Sequence, residues 1–245
     1  MGRHSPAVSR LIGVYYRIRW KSEAWLAANL TDLYLLRYGM LRNRIREDKA
    51  FLRLHADLCR ENIIIQTLRE RFNVWQLAGA ASRLPGDMAE VGVDRGGSAR
   101  IISEVKGDKT FHLFDTFGGM PQTEADKDGI FRPGDFAATN VERVRNYLGR
   151  YPNLVFHPGF FPDTTKDVSD ATQFCFVHLD VDIYKSTRDA LHYFYPRMVR
   201  GGMILSHDYG QITAPGVKQA YDEFFADKPE PVVALWDTQC LVVKM

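Results

Sequence analysis

The sequence lacks the features that mark disulfide-rich, zinc-binding or membrane-spanning proteins. Its 245 residues include only three cysteines, Cys59, Cys175 and Cys240, and no two of them form a CxxC pair. Isolated thiols are typical of a reducing compartment, and the last two fall in predicted strands, where Cys behaves as a small buried hydrophobe. Arg residues interrupt the N-terminal apolar runs, so no transmembrane helix is predicted. No secretory signal pattern is found either. We therefore expect a cytoplasmic protein.

The chain also has almost no net charge. Its formal charge is +2, with 45% hydrophobic and 25% charged residues, as in an ordinary globular protein. However, ten basic residues against four acidic ones lie between Met1 and Lys49. Such a segment can bind nucleic acid or a membrane surface, but no nucleic-acid motif accompanies it. We expect instead an amphipathic helix that packs on the core or on a second subunit, hence a homo-oligomer that does not bind nucleic acid.

The pattern of the chain changes near residue 84. Before that point, Ala24 to Tyr38 and Arg60 to Leu77 show apolar residues at helical spacing, with little strand signal. Leu84-Pro85-Gly86-Asp87 then interrupts the helical pattern. We divide the chain into an N-terminal helical cap or oligomerisation segment, residues 1–84, and a second domain, residues 85–245.

Strands and helices alternate in the second domain, which predicts an α/β fold with a mostly parallel sheet. Only three residues join the last two strands, so this pair is predicted to be an antiparallel hairpin. The predicted helices are Ser98–Val105, Val141–Leu148, Thr187–Met198 and Val217–Phe225. The seven predicted strands are Met88–Val93, Thr110–Phe114, Leu154–Phe156, Phe174–Val181, Met203–Ser206, Val232–Trp236 and Cys240–Val243.

A glycine-rich junction follows the first of these strands. It runs from Glu90 to Ser98, and Gly92, Gly96 and Gly97 allow a tight turn and close approach of a ligand to a helix N-terminus. The spacing is neither G-x-G-x-x-G nor that of a P-loop. At the end of the second strand, Asp115 can accept both hydroxyls of a ribose, which indicates an adenosine-containing ligand. The alternative is that Asp115 caps a turn.

Carboxylates end two further strands. Asp180 and Asp182 follow the strand that begins at Phe174, and His207 and Asp208 follow the strand that begins at Met203. Ligands bind outside the carboxyl ends of strands in open α/β sheets, so these residues predict a site for a cation and for proton abstraction. Oxygen ligands suit Mg²⁺, Ca²⁺ or Mn²⁺, and the imidazole favours Mn²⁺ or another transition metal. Helix capping by Asp182 is the structural alternative.

The order of these motifs resembles the macrocin O-methyltransferase family. The resemblance runs from about Pro85 to the C-terminus. It rests on Glu90-Val-Gly-Val-Asp-Arg-Gly-Gly-Ser98, Phe114-Asp-Thr-Phe-Gly-Gly-Met-Pro121, Gly159-Phe-Phe-Pro-Asp-Thr164, Leu179-Asp-Val-Asp-Ile-Tyr-Lys-Ser-Thr187 and His207-Asp-Tyr209. It implies a Rossmann-like class I methyltransferase that uses S-adenosyl-L-methionine and a divalent metal, usually Mg²⁺. The acceptor would be a hydroxyl of a sugar or of a glycosylated or phenolic natural product.

The resemblance also implies roles for individual residues. Asp182 would be the general base, and Asp180, His207 and Asp208 would be metal ligands, although His207 stands where the family has an Asp. The residues expected to bind the cofactor are Glu90, Gly92, Gly96, Gly97, Ser98, Asp115, Thr116, Phe117, Gly159 and Phe160. Residues 118–136, with Phe131 and Phe136, are predicted to form a lid or to contact the acceptor.

Three other functions are compatible with parts of the pattern. Asp180-Val181-Asp182 resembles the D-x-D metal motif of nucleotide-sugar glycosyltransferases, but the glycine-rich junction would then have no use. An NAD(P) oxidoreductase would need a different glycine spacing. The third alternative, suggested by His207, is a non-catalytic cofactor-binding protein with a degenerate metal site.

Overall fold

A computed structural model describes residues 44–245 together with Trp25. The chain divides into two compact units, Met1–Ile65 and Gln66–Met245. The helix predicted at Ala24 to Tyr38 lies outside the described residues. The division at residue 84 into a cap and a methyltransferase domain stays a prediction.

In the first unit, a short 3₁₀ turn at Arg44–Arg46 precedes helix α1, Lys49–Glu61. Asp48 caps the start of α1, because its side chain accepts a hydrogen bond from the Phe51 amide at 2.9 Å. The helix ends at Asn62, which adopts the left-handed conformation that Asn tolerates better than most residues.

The prediction of one helix from Arg60 to Leu77 is wrong. Helix α1 stops at Asn62, and a new helix, α2, Leu68–Ala81, starts after Thr67. Thr67 and Glu70 form a reciprocal capping box, which fixes the start of α2. The apolar residues on the two sides of this break happen to follow a single helical spacing. Such spacing does not show where the backbone leaves one helix and begins another.

The second unit contains a seven-stranded sheet in the order β3-β2-β1-β4-β5-β7-β6. Strands β1 to β5 pair in parallel, and β7 is antiparallel to both β5 and β6, which confirms the predicted hairpin. The strands are β1, Asp87–Val91; β2, Phe111–Asp115; β3, Leu154–Pro158; β4, Phe174–Leu179; β5, Met198–Ser206; β6, Val233–Ala234; and β7, Cys240–Val243.

Four further helices accompany the sheet. They are α3, Gly97–Val105; α4, Val141–Leu148; α5, Tyr184–Phe194; and α6, Pro215–Phe224. Helix α5 starts three residues earlier than predicted and ends at Phe194, where the 3₁₀ turn Tyr195–Arg197 begins. Pro196 lies in that turn, and Pro cannot continue a helix without losing a backbone hydrogen bond.

The core confirms a sheet covered on both faces. All six residues of β4 are buried, and Phe114, Phe194 and Ile204 belong to one apolar cluster. The cysteines Cys175 and Cys240 are buried and free, as predicted. Within residues 44–245, no helix is both long enough and apolar enough to cross a bilayer.

Candidate active site

The sequence-predicted site residues meet along one edge of the sheet. Strands β2, β1, β4 and β5 are consecutive and parallel, so their carboxyl ends face the same way. The glycine-rich junction follows β1, Asp115 ends β2, Asp180 follows β4 and His207 follows β5. Ligands of open α/β sheets bind at this edge, which makes it the candidate active site.

Asp180, His207 and Asp208 form a tight cluster. One ligand atom from each of the three residues lies within 4.8 Å of the other two. The Nδ1 atom of His207 is 3.2 Å from Oδ1 of Asp180 and 2.7 Å from Oδ2 of Asp208. The same imidazole nitrogen therefore faces both carboxylates.

The loops that carry these acids have unusual backbone geometry. Asp182 has a φ of 61° and Asp208 a φ of 63°, both in the left-handed region. Asp adopts this region more readily than most residues, and such conformations cluster at functional sites. Asp182 does not cap helix α5, because Ile183 occupies the N-cap position and the amide of Tyr184, the first residue of the helix, donates to Asp128 at 2.8 Å. The capping alternative for Asp182 is therefore wrong.

The charges of the cluster act strongly on one another. Burial alone would lower the pKa of His207, but Asp208, Asp180 and Glu70 around it raise that pKa well above its usual value. Burial would conversely raise the pKa of Asp180, and the charge of His207 lowers it. His207 and Asp180 therefore stabilise each other's charged form.

The pKa of Asp182 shifts in the opposite direction to that of Asp180. Burial and the nearby charges of Asp208 and Asp180 raise its pKa well above the usual range. In its ionised form, a carboxylate with a raised pKa is a stronger base than an exposed one, and this is the property that proton abstraction needs.

Gly92 connects the glycine-rich junction to the carboxylates. Its φ is 88°, and a Cβ at this position would lie 1.9 Å from the carbonyl oxygen of Asp180. The Asp180 amide in turn donates to the carbonyl of Val91 at 2.9 Å. Gly92 is thus required by the close packing of two loops of the protein itself, which the sequence did not indicate.

The rest of the junction leads into helix α3. Gly96, with a φ of 87°, is the N-cap of this helix and provides no side-chain cap, and Gly97 and Ser98 begin the buried first turn. Glu90 lies inside the sheet with no exposed surface, and its Oε1 is 2.7 Å from Nδ1 of His178. Burial raises the pKa of Glu90, while hydrogen bonds from His178 and Ser98 oppose that change.

Asp115 organises the turns after β1 and β2. Its Oδ2 accepts hydrogen bonds from the amides of Val93 and Asp94, at 2.7 and 2.9 Å, and its Oδ1 accepts one from the Phe117 amide at 2.6 Å. The next residue, Thr116, donates its hydroxyl to the carbonyl of Gly119 at 2.6 Å. The alternative that Asp115 caps a turn therefore describes these contacts, and ribose binding by Asp115 stays a prediction.

Gly159 and Phe160 follow β3, next to this group. The Gly159 amide donates to the carbonyl of Asp115 at 2.9 Å, so its loop adjoins the end of β2. Gly159 has a φ of 132°, and a Cβ there would lie 2.8 Å from the Thr164 side chain. The Phe160 ring is 58% exposed, whereas the next ring, Phe161, packs against the core. Phe160 is thus free to contact a ligand.

Two residues at the site were not found from the sequence. Glu70, in the first turn of α2, places Oε2 3.3 Å from Nε2 of His207. Gln66 is buried and donates through Nε2 to Oδ2 of Asp180 at 3.0 Å. The Thr67-x-x-Glu70 pattern signals a capping box, but no local signal indicates contacts across more than a hundred residues.

The loop predicted as a lid is anchored at several points. Asp128 is buried and accepts hydrogen bonds from the amides of Tyr184 and Glu124, at 2.8 and 2.6 Å. Phe131 packs against the core cluster, with its ring 6.2 Å from that of Phe136. Phe136 is 41% exposed. A lid role and a contact with the acceptor both stay predictions.

The donor set suits a divalent cation. Two carboxylates and one imidazole nitrogen converge, and oxygen with a single nitrogen is compatible with Mg²⁺ and favours Mn²⁺ or another transition metal. A bound cation would offset the repulsion between carboxylates that lie this close. Asp180, His207 and Asp208 are therefore chemically fit to hold one.

The fold and the edge of carboxylates together are those of a methyltransferase. The family model for macrocin O-methyltransferase (TylF) matches residues 69–238. The chain belongs to this family.

Curated relatives with assigned activities are O-methyltransferases. The 8-demethyl-8-(2,3-dimethoxy-alpha-L-rhamnosyl)-tetracenomycin-C 4'-O-methyltransferase of Streptomyces olivaceus is 34% identical over 144 residues, 53% of this chain and 55% of that protein. The demethyldecarbamoylnovobiocin O-methyltransferase of Streptomyces niveus is 31% identical over 160 residues, 59% of this chain and 60% of that protein. The matched segments thus span less than two thirds of these relatives.

A solved structure shows the same fold. The O-methyltransferase NovP superposes with a TM-score of 0.65 at 25% identity, over 75% of this chain and 82% of that one. The seven-stranded, mostly parallel sheet with its C-terminal antiparallel hairpin is therefore a class I methyltransferase sheet.

Proposed function

We propose that this protein is an S-adenosylmethionine-dependent O-methyltransferase that methylates a hydroxyl group of a sugar or of a glycosylated or phenolic natural product. The observation that carries the proposal is the cluster of Asp180, His207, Asp208 and Asp182 beside the glycine-rich junction, in a chain of this family. The name of the Streptomyces olivaceus relative describes methylation of a rhamnosyl compound, which supports the acceptor class.

The reaction requires little covalent chemistry from the protein. The acceptor oxygen attacks the sulfonium methyl group, an O–C bond forms, the S–C bond breaks, and the sulfur is released as a neutral thioether. The enzyme must align the two reactants and remove the hydroxyl proton. We assign proton removal to Asp182, because its pKa is raised whereas that of Asp180 is lowered, so the ionised Asp182 is the stronger base of the two.

We assign a divalent cation, Mg²⁺ or Mn²⁺, to Asp180, His207 and Asp208. A cation held there would lower the pKa of a hydroxyl bound to it. The protein's own contribution is to hold His207 between the two carboxylates and to keep Asp182 within reach of Asp208. This arrangement suits an acceptor with two neighbouring hydroxyls.

We assign the methyl donor to the junction Glu90–Ser98, to Asp115-Thr116-Phe117 and to Gly159-Phe160. The exposed ring of Phe160 and the helix start at Gly97 support this placement. We also propose a homo-oligomer in the cytoplasm, with the basic N-terminal segment in the subunit contact, as expected from the sequence.

The test is a screen for S-adenosylhomocysteine formation over glycosides, nucleotide sugars and catechols, with and without added metal. We expect turnover on at least one hydroxyl acceptor, and its loss after exhaustive chelation. Turnover that survives chelation would remove the metal from the proposal. Cofactor binding without turnover on any acceptor would instead support the non-catalytic alternative. Family membership does not support the glycosyltransferase or the oxidoreductase.

A further inference from the structure

Glu70 is a buried carboxylate that lies directly behind His207. Only 3% of its side chain is exposed, and its Oε2 is 3.3 Å from Nε2 of His207. The opposite nitrogen of the same ring, Nδ1, faces Asp180 and Asp208. The imidazole thus has one nitrogen toward Glu70 and the other toward the two carboxylates that lie with it in the cluster.

The Glu70 carboxylate is itself held in place from three directions. Thr67 donates its amide to Oε2 at 2.8 Å, and Thr238 donates both its amide and its hydroxyl to Oε1, at 3.1 and 2.6 Å. A carboxylate fixed by three donors cannot turn away from the imidazole. All three of these contacts donate to the carboxylate oxygens, so Glu70 acts as an acceptor.

A metal ion binds the neutral form of an imidazole, and the second ring proton is released when the ion binds. The neutral ring carries one N–H and one lone pair, and the partner of one nitrogen decides the role of the other. An acceptor at Nε2 places the proton there and leaves the lone pair on Nδ1. Histidines that bind metals commonly donate their second nitrogen to a carboxylate in this way.

We propose that Glu70 is the positioning residue of His207: it accepts the Nε2–H and presents the Nδ1 lone pair to a cation between Asp180 and Asp208. The inference rests on the metal assignment made under the proposed function. It explains how an imidazole serves at position 207, because the buried ring has a fixed acceptor on its far side.

A purely structural role is the competing explanation, since Glu70 also closes the capping box of α2 and holds Thr238. Thr67→Ala is the matched control. It removes a hydroxyl that accepts from the Glu70 amide at 3.3 Å and donates to Asp237 at 2.7 Å, and it keeps the Glu70 carboxylate, the Thr67 amide and His207. Helix stability should fall in this variant without a change at the imidazole.

The first test is titration of the full-length protein with Mn²⁺ by calorimetry. We expect Glu70→Gln to weaken Mn²⁺ binding about 10- to 100-fold, the range typical for loss of a residue that orients a ligand. Thr67→Ala should lower the melting temperature and keep the wild-type affinity within about twofold. Wild-type affinity in Glu70→Gln, or an equal loss in Thr67→Ala, would overturn the proposal and leave the methyltransferase function intact. Absence of Mn²⁺ binding in the wild type would overturn the metal assignment and Glu70's role together.

The second test locates the ring proton of His207 by NMR. In protein labelled with ¹⁵N-histidine and saturated with Mg²⁺, the His207 ring should carry its proton on Nε2, with His207→Asn used to assign its signals. A proton on Nδ1 in this state would contradict the proposal. Glu70→Gln should shift the Nε2 resonance, whereas Thr67→Ala should leave it unchanged.

Discussion

The active-site edge has two halves, the loops after β1 and β2 and the loops after β4 and β5, and they differ in how their charges are balanced. After β1 and β2, polar groups satisfy one another: the carboxylate of Asp115 accepts three backbone amides and so fixes two turns. After β4 and β5, Asp180, Asp182 and Asp208 crowd around one imidazole. The protein's own hydrogen bonds organise the first half, whereas the second half concentrates negative charge that a cation can offset.

The largest effect that distinguishes the halves is expected from Asp182→Asn. Asn tolerates the left-handed backbone of this position, so the loop should be retained. We expect turnover to fall about 100- to 10,000-fold, because the base is lost. Calorimetry should show nearly unchanged binding of S-adenosylmethionine, since the cofactor half is untouched. The exposed acid variant Asp170→Asn is the control, and equal loss of cofactor binding in Asp182→Asn would refute the assignment.

Gly92→Ala should disrupt both halves, because the added Cβ would meet the Asp180 carbonyl. We expect a loss of about 4 kcal/mol or more in the free energy of unfolding, measured by urea denaturation. The control is Gly107→Ala, at a φ of 64° with no atom within 4 Å of the added Cβ. That variant should cost only the backbone strain of about 1–2 kcal/mol. Similar losses of unfolding free energy in both variants would mean that the loops after β1 and β4 can move apart to make room for the added Cβ.

Divalent metal should stabilise the carboxylate half. A ligand that binds only the folded state, at about 100 times its dissociation constant, adds about 2.7 kcal/mol, or about 5–10 °C in melting temperature for a chain of this size. Thermal unfolding with Mn²⁺ should show this rise in the wild type. Asp208→Asn removes a carboxylate of the cluster and should abolish the rise; a rise that persists would place the metal elsewhere.

Asp115→Asn should weaken cofactor binding and leave metal binding unchanged, the reverse of what is expected for Asp208→Asn. The amide supplies one oxygen acceptor where the carboxylate supplies two, so the turns after β1 and β2 should loosen. We expect about tenfold weaker binding of S-adenosylmethionine, from the loss of about 1.4 kcal/mol, with the Mn²⁺ shift retained. Calorimetry with each ligand on Asp115→Asn and Asp208→Asn tests this crossover. Loss of both ligands in either variant would show that the halves are not independent.

The smallest effect concerns a part of the sheet outside both halves. Nε2 of His157 lies 3.0 Å from Nδ1 of His112, and burial, followed by the charge of His112, lowers the pKa of His157 to about 4. Below the usual His pKa, the unfolded chain takes up a proton that the folded chain does not. The free energy of unfolding therefore decreases as the pH is lowered from about 6.5 to about 4.

We expect His157→Gln to flatten this dependence. The difference in melting temperature between wild type and variant should change by about 4 °C between about pH 7 and about pH 5. The variant should leave the Mn²⁺ shift unchanged, since the carboxylate half is not involved. A constant difference across this pH range would show that His157 titrates normally in the folded protein.

The sequence predicted best those features that depend on the local pattern of apolar and charged residues. The bounds of Val141–Leu148 and Cys240–Val243 were predicted as the structure has them, and strand ends placed Asp180, His207 and Asp208 together. Strand ends are predictable because charges are excluded from strands that are buried on both faces. Helix breaks such as Asn62 were missed, since they depend on backbone conformation and capping at single residues.

The sequence by itself determined the alternation of strands and helices and the chemical character of the edge where they end. Only the tertiary structure decided which partners those residues have. It placed Glu70 behind His207, turned Asp115 toward backbone amides and brought Gly92 against the Asp180 carbonyl. Periodicity and composition report which residues are buried, because burial depends on the average environment of a segment. Contacts between residues far apart in the chain depend instead on the register and twist of the packed sheet, and no short stretch of sequence encodes them.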